Sequence, residues 1–108
     1  MKKYRQAIEN NNEQVIADFI QFNSQLIDYV QDDGYTLLCL ATRYSRTNIV
    51  EMFLKEGADP NIPEISQMNT PLHFAVNLNQ KKIINLLINY GADEKIKNLN
   101  GLTPWQGI

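Results

Sequence analysis

Two residues of this sequence, Cys39 and His73, could together perform nucleophilic chemistry. A thiol becomes a nucleophile when a histidine within hydrogen-bonding distance, about 3 Å, accepts its proton. The two residues lie 34 positions apart, and the same interval recurs between other residues of the chain. Equivalent positions of neighbouring repeats are separated by roughly the 8–10 Å between packed helices. We therefore predict that the two side chains do not meet, and that Cys39 is a small buried residue.

Acidic residues are the second group that could carry chemistry. Asp32 and Asp33 are adjacent, whereas Asp59 and Asp93 each follow a Gly-Ala pair. Aspartate in such turn sequences usually accepts hydrogen bonds from nearby backbone, so we expect structural roles for all four. One histidine and one cysteine are too few for a zinc site, and the five glycines form no phosphate-binding loop. The sequence therefore predicts no catalytic residue, no metal and no cofactor.

Charge and composition argue against nucleic-acid and membrane partners. The formal net charge of the 108 residues is −2, which gives a phosphate backbone no general reason to bind. No apolar segment is long enough to span a bilayer, and the basic residues at 1–6 are not followed by the apolar stretch of a signal peptide. The single cysteine excludes an internal disulfide and suits a reducing compartment. We expect a cytoplasmic protein that is not an enzyme.

An internal repeat of about 34 residues indicates how the chain is organised. Thr36 and Thr70 are 34 residues apart, and the segments 57–59 and 91–93, which both read Gly-Ala-Asp, show the same step. Counted backwards, the step also finds matches in the first thirty residues, which we interpret as a degenerate copy. No linker or low-complexity segment interrupts this register.

Each copy has the pattern of two helices joined by a polar turn. Thr70 can cap a helix that begins at Pro71, and Gly91 can end the second helix of the same unit. Neither helix pair can bury its apolar stripe alone, so the copies must stack into one all-α solenoid. The predicted helices cover 2–10, 13–22, 37–44, 47–55, 71–78 and 81–89. The single domain 1–108 then divides into units at 1–32, 33–65, 66–98 and a truncated 99–108.

The middle unit resembles the ankyrin repeat. Its residues 70–73 read Thr-Pro-Leu-His and are followed by Ala75 and by the Gly-Ala-Asp segment at 91–93. The turns at 33–36 and 100–103 resemble the tight turn that opens such a repeat. The resemblance implies an ankyrin-repeat solenoid of about three helix pairs plus a C-terminal stub. Its opening turns would project as fingers, and its inner helices would form a concave face.

The resemblance also assigns structural roles, and several positions depart from the family pattern. It implies that His73 ties its own turn to the next one. Cys39 and Leu37 replace the histidine and the proline of the motif, and the segment 63–65 adds one residue to the second finger. Met68 stands where the opening turn usually has glycine, so we expect that finger to be distorted. The last unit stops shortly after Trp105, and we expect the indole ring to cap the stack near Ala75 and Leu87.

In ankyrin proteins the finger tips and the exposed ends of the inner helices usually meet a partner. The resemblance therefore implies a protein-binding module. By register, the candidate partner-binding residues are Asp32, Asp33, Tyr35, Arg43 and Tyr44 in one unit and Ser66, Gln67, Asn69, Asn77 and Leu78 in the next. Because tyrosine and arginine are enriched at binding hot spots, the aromatic and cationic members together with Leu78 form the predicted anchor of the interface.

Two other functions stay open as alternatives. An inhibitor or immunity-type protein would use the same surface to block a partner enzyme. A small-molecule-binding protein would need a concave pocket with convergent polar groups, which a short repeat stack does not readily form. We expect a monomer that binds a protein partner of unknown identity, with self-association through the C-terminal end as the alternative state.

Overall fold

The computed structural model describes residues 2–108, and its regular elements are all helical. The six α-helices are α1 (Lys2–Glu9), α2 (Glu13–Asn23), α3 (Leu37–Arg43), α4 (Thr47–Lys55), α5 (Pro71–Asn77) and α6 (Lys81–Asn89). A short 3-10 helix, Ser24–Leu26, follows α2. The predicted helix bounds are confirmed to within one residue, and so is the all-α solenoid. Within residues 2–108 no helix is long and apolar enough to cross a membrane.

The helices form two parallel rows. The inner row is α1, α3 and α5, and the outer row is α2, α4 and α6, with each helix packed on its neighbour in the same row and on its partner in the same unit. One apolar core runs between the rows, and burying each of its large side chains contributes about 1.5–3 kcal/mol. The largest fully buried side chains are those of Phe19, Phe53, Ile8, Ile16, Leu37, Leu38, Leu40, Ile49, Leu54, Leu72, Ile83 and Leu87.

Threonine caps begin the inner helices α3 and α5. The Thr36 hydroxyl oxygen accepts the Cys39 backbone N–H at 3.1 Å, and the Thr70 hydroxyl oxygen accepts the His73 N–H at 3.3 Å. Both cap residues have extended backbone angles, so the chain leaves the finger and enters the helix at a sharp corner. The caps therefore fix where each finger meets its inner helix.

The structural role of His73 is confirmed. Its Nδ1 accepts the Thr70 backbone N–H at 3.1 Å, and its Nε2 lies 2.8 Å from the Leu102 carbonyl oxygen. Because a carbonyl oxygen only accepts, Nε2 carries the proton, and one neutral tautomer satisfies both bonds. The side chain is 1% exposed. His73 thus ties the finger of its own unit to the start of the next one.

The prediction that Trp105 caps the stack is wrong. The residue is 52% exposed, and its indole N–H donates to the Glu94 carboxylate at 2.8 Å. Residues 104–106 form a turn rather than a helix, and Pro104 is buried in place of the aromatic ring. Because the indole N–H bonds an exposed carboxylate, the ring stays about half exposed at the protein surface.

The C-terminal side of the last helix pair, α5 and α6, is covered less completely than that of α3 and α4. Val76, Ile84 and Ile88 are only partly buried. The residues 34 positions earlier are at most 2% exposed; they are Thr42, Val50 and Leu54. The difference arises because α3 and α4 have a neighbouring pair on both sides, whereas within residues 2–108 α5 and α6 have one on a single side.

We expect the substitution His73→Ala to lower the free energy of unfolding by about 1–3 kcal/mol, because the Leu102 carbonyl and the Thr70 N–H each lose a buried partner. Urea denaturation at pH 7 measures this change. Lys82→Ala on the exposed surface of α6 is the control and should stay within about 0.5 kcal/mol of the parent. A His73→Ala protein as stable as the parent would show that this tie between units contributes nothing.

Candidate functional site

Three turns project from the stack as fingers, at residues 31–36, 64–70 and 98–103. A buried polar residue begins each finger, and we call these three residues the finger anchors: Gln31, Glu64 and Asn98. The Gln31 side-chain amide donates to the Tyr35 carbonyl at 3.1 Å. The Asn98 side-chain oxygen accepts the backbone N–H groups of Asn100 at 3.0 Å and Leu102 at 3.1 Å. The Asn98 side chain pairs backbone N–H groups that the turn leaves unpaired, whereas the Gln31 side chain adds a second donor to a carbonyl that already accepts the Gln31 backbone N–H.

Glu64 makes the densest set of hydrogen bonds among the anchors. Its Oε2 accepts the backbone N–H and the hydroxyl of Ser66, both at 2.7 Å. Its Oε1 accepts the backbone N–H groups of Gln67 at 2.9 Å and Asn69 at 3.2 Å. Burial alone would raise the pKa of the Glu64 carboxyl group, but these hydrogen bonds outweigh it and hold the pKa below its ordinary value.

The second finger differs from the other two in length rather than in the conformation at its tip. Met68 has a φ of 59°, in the same left-handed region as Gly34 at 88° and Gly101 at 75°. A residue other than glycine pays roughly 1–2 kcal/mol for this conformation. The expected distortion takes the form of one extra residue, because Glu64 donates its N–H to the carbonyl of Asn69, five positions on. The corresponding bonds of the other fingers span four positions.

Neighbouring fingers are joined by backbone hydrogen bonds, and their tips carry exposed aliphatic side chains. The Ile65 N–H donates to the Gly34 carbonyl at 3.1 Å, and the Leu99 N–H donates to the Gln67 carbonyl at 2.9 Å. Ile65 is 62% exposed and Leu99 is 66% exposed. Sequence reasoning missed both residues, although their 34-residue separation was a usable signal.

Two of the predicted partner-binding residues lie at equivalent positions at the exposed ends of the inner helices. Tyr44 is the C-cap of α3 and Leu78 is the C-cap of α5, with nearly identical backbone angles. Tyr44 is 36% exposed and Leu78 is 40% exposed. The Tyr44 hydroxyl donates to the Glu9 carboxylate at 3.0 Å, which orders the ring without covering it. The residues before the two caps, Arg43 and Asn77, are also exposed.

Tyr35 and Arg43 form one unit rather than two independent contacts. The Arg43 guanidinium lies over the Tyr35 ring, 5.3 Å from its centroid, and donates to the Tyr35 hydroxyl. The Tyr35 ring is half-buried and lies 6.1 Å from the ring of Phe74. Because the guanidinium is already held in place, a partner that binds it orders fewer side-chain rotamers.

The two acidic residues of the first finger have different roles. Asp33 accepts a hydrogen bond from Arg5 and the backbone N–H of Tyr35, the latter at 3.0 Å. Its carboxylate is therefore engaged within the stack. Asp32 is exposed and forms no ion pair or hydrogen bond with any other residue among 2–108. Asp32 is the acidic group of this finger that a partner can reach most directly.

The structure contradicts the placement of Asn69 on the binding surface. Asn69 is 5% exposed, and its side-chain oxygen accepts the Asn98 amide N–H at 2.9 Å. This bond links the second finger to the third, so the side chain is not available to a partner. Ser66 and Gln67 are exposed as predicted, but the Ser66 hydroxyl already donates to Glu64.

The geometry does not favour chemistry at Cys39. The side chain is fully buried, and its burial together with the nearby Glu64 carboxylate raises the pKa of the thiol, which opposes formation of a thiolate. Among residues 2–108 no cluster of three or more acidic, histidine or cysteine side chains is placed to hold a metal ion. A hollow of about 510 Å³ beside the first finger is open to solvent and is lined by Lys2, Arg5, Tyr29, Gln31, Asp32 and Asp33.

Comparison with known proteins identifies the repeat. A family model described as ankyrin repeats (3 copies) matches residues 5–98. The chain is 34% identical over 97 residues to neurogenic locus notch homolog protein 1 of Xenopus tropicalis, covering 89% of this chain and 4% of that protein. It is 42% identical over 84 residues to a putative ankyrin repeat protein of Rickettsia felis, covering 70% of this chain and 37% of that protein. The chain thus spans well under half the length of these relatives.

We expect Glu64→Gln to lower the free energy of unfolding at pH 7 by about 2 kcal/mol, because the amide nitrogen would face two donors from Ser66. The folded pKa of Glu64 lies below the unfolded value of about 4.3. Its stabilisation is therefore complete above that pH and is lost as the pH falls through the folded pKa. Urea denaturation should show the gap between parent and variant shrinking below about pH 4.

Glu56→Gln is the matched control, because Glu56 is exposed and its carboxylate makes no hydrogen bond with other residues among 2–108. It should change the stability by no more than about 0.5 kcal/mol. If the difference in free energy of unfolding between the parent and Glu64→Gln is the same at pH 7 and pH 3, the assigned role of the carboxylate is wrong.

Proposed function

Because the chain belongs to the ankyrin-repeat family, we propose that it is a protein-binding module that holds its partner against the finger tips and the exposed ends of the inner helices. Ankyrin repeats are generally protein–protein interaction modules without catalytic activity. The observation that carries the proposal is the pair Tyr44 and Leu78, two large exposed side chains at equivalent positions of adjacent helices.

Tyr44 and Leu78 have the properties of the centre of an interface. Both are about two-fifths exposed, so a partner can remove a large apolar area from water at each. The Tyr44 ring is already oriented by its bond to Glu9, and the neighbouring Arg43 is held over Tyr35. Tyrosine and arginine that are ordered before binding lose less entropy on association, which is a property of hot-spot residues.

The remaining predicted residues fit the polar rim of such an interface. All of them are exposed and carry hydrogen-bonding groups: Asp32, Asp33, Ser66 and Gln67 lie in the first two fingers, and Asn77 directly precedes the C-cap of α5. Rim residues contribute mainly to specificity and association rate, because water still reaches them in the complex. We assign most of the binding free energy to Arg43, Tyr44 and Leu78. The Tyr35 ring holds the Arg43 guanidinium in place.

Two narrower roles are compatible with this surface. As an adaptor the module would hold its partner without changing the partner's activity, and as an inhibitor or immunity-type protein it would cover an active site. Assaying the captured partner's activity with and without a molar excess of this protein distinguishes the two. Small-molecule binding is the weaker alternative, because the hollow beside the first finger is open and mixes basic with acidic side chains.

We propose a monomer in a reducing, cytoplasmic compartment, which suits the single buried cysteine. Self-association through the C-terminal side is the second candidate for the state of the protein. It is supported by the partial exposure of Val76, Ile84 and Ile88. Sedimentation equilibrium separates the two states.

The experiment that tests the proposal begins with affinity capture. The immobilised protein is incubated with a lysate of its source organism beside an immobilised Tyr44→Ala variant, and bound proteins are identified by mass spectrometry. A partner of the proposed surface is retained by the parent and depleted on the variant. Proteins retained equally by both columns are not partners of this surface.

For a partner found in this way, we expect Tyr44→Ala and Arg43→Ala each to weaken binding by about 2 kcal/mol or more in isothermal titration calorimetry. Binding is measured well below the melting temperature of each variant, because Arg43→Ala also removes the contact with the Tyr35 ring and Tyr44→Ala also removes a partly buried ring. Glu51→Ala and Lys82→Ala on the outer helices are the controls and should leave the affinity unaltered. Loss of affinity confined to the outer-helix variants would place the site on the convex face and contradict the proposal.

A further inference from the structure

The finger tips form a row with a regular chemical pattern. Asp32, Ile65 and Leu99 each directly follow a finger anchor, so they occupy equivalent positions in successive units, and we call them the tip row. All three are exposed, and the two aliphatic members are 62% and 66% exposed. The row therefore presents one carboxylate at its N-terminal end, followed by two aliphatic side chains that are largely in contact with water.

The spacing along the tip row is set by the stack. Backbone hydrogen bonds join the second finger to the first at Ile65 and the third to the second at Leu99. The inner helices below them pack side by side, and packed helices lie roughly 8–10 Å apart. A polyproline II segment has three residues per turn and rises about 3.1 Å per residue, so every third side chain recurs at about 9 Å. Alternate side chains of a β-strand recur at only about 7 Å.

We propose that the tip row binds an extended segment of the partner in polyproline II conformation. The segment carries a lysine or arginine for Asp32 and then two large aliphatic residues, at intervals of three residues, for Ile65 and Leu99. This inference rests on the proposed function and adds the chemistry of the partner that the fingers recognise.

Side-chain amides beside the tip row favour an extended segment over a helical one. Gln67 and Asn100 are exposed, and their side chains make no hydrogen bond within residues 2–108. The backbone of a polyproline II segment has no internal hydrogen bonds, so it can use both amides as donors and acceptors. A helix could present side chains seven residues apart at about 10.5 Å, but its backbone groups are already paired.

The Asp32 carboxylate at the end of the tip row determines the direction in which the partner's segment binds more than it determines the affinity. Asp33 is engaged by Arg5, which leaves the Asp32 carboxylate for the partner. Lys2 lines the same hollow as Asp32 and reduces the net negative charge there. An exposed ion pair of this kind contributes modestly, so the aliphatic contacts supply most of the binding.

Synthetic peptides test the spacing directly. The probe is a fluorescein-labelled peptide Lys-Pro-Pro-Leu-Pro-Pro-Leu flanked by Gly-Ser, whose prolines favour the polyproline II conformation. One comparison peptide has the two leucines two residues apart. A second is an alanine-rich helix with the two leucines seven residues apart, and a third replaces the lysine with glutamate. Fluorescence polarisation should show saturable binding of the probe below about 1 mM and at least tenfold weaker binding of the first two comparison peptides.

Matched variants locate the binding on the protein. Ile65→Ser and Leu99→Ser should each weaken probe binding about tenfold, and Asp32→Asn about threefold. Phe22→Ser is the control, because Phe22 is 69% exposed but lies on the outer helix α2, and it should leave the affinity unchanged. Thermal melts of the four variants verify that each is folded at the temperature of the binding assay.

Equal binding of the probe and the respaced or helical peptide would overturn the inference, as would no saturable binding of the probe. Unchanged probe affinity in Ile65→Ser and Leu99→Ser would overturn it as well. Failure here is distinguishable from failure of the proposed function, which is judged on a captured protein with Tyr44→Ala. If binding of a captured partner requires Tyr44 but is unchanged by Ile65→Ser and Leu99→Ser, the proposed binding module stands and the inference about the tip row is wrong.

Discussion

Each helix pair of this chain removes its apolar stripe from water only by lying against the next pair. The outer and inner helices of one unit share too little surface to bury residues such as Phe53 and Leu87 by themselves. Stacking in register solves this problem, and it places equivalent residues of successive units side by side. The proposed binding surface follows from the same constraint, because the 34-residue step alone gives Tyr44 and Leu78 equivalent positions in adjacent units.

The fingers depend on the stack but need their own stabilisation. Their backbone leaves the helices through sharp corners, and each turn has polar groups that no regular element satisfies. The finger anchors add side-chain hydrogen bonds to these turns through the amides of Gln31 and Asn98 and the carboxylate of Glu64. The carboxylate of Glu64 holds the finger that also carries the left-handed Met68. The least regular finger thus has the strongest set of hydrogen bonds.

The sequence could predict the helices, because caps, apolar stripes and the repeat length are local signals that agree with one another. The role of His73 was implied by the resemblance to the ankyrin repeat and not by these signals. The sequence-based predictions were wrong for two side chains whose hydrogen-bond partners lie in other parts of the chain. Trp105 was expected to cover apolar residues, but the Glu94 carboxylate holds its indole N–H at the surface. Asn69 was placed on the surface by register with Tyr35, and its bond to Asn98 depends on a pairing between fingers that one unit does not reveal.

The central claim is that a partner binds across the fingers and the exposed ends of the inner helices. Two-dimensional NMR of the ¹⁵N-labelled protein, titrated with a captured partner, tests this most directly because each backbone amide reports its own environment. We expect the largest changes in chemical shift in the fingers at 31–36, 64–70 and 98–103 and at residues 43–44 and 77–78. Changes concentrated in α2, α4 and α6, with the fingers unperturbed, would contradict it.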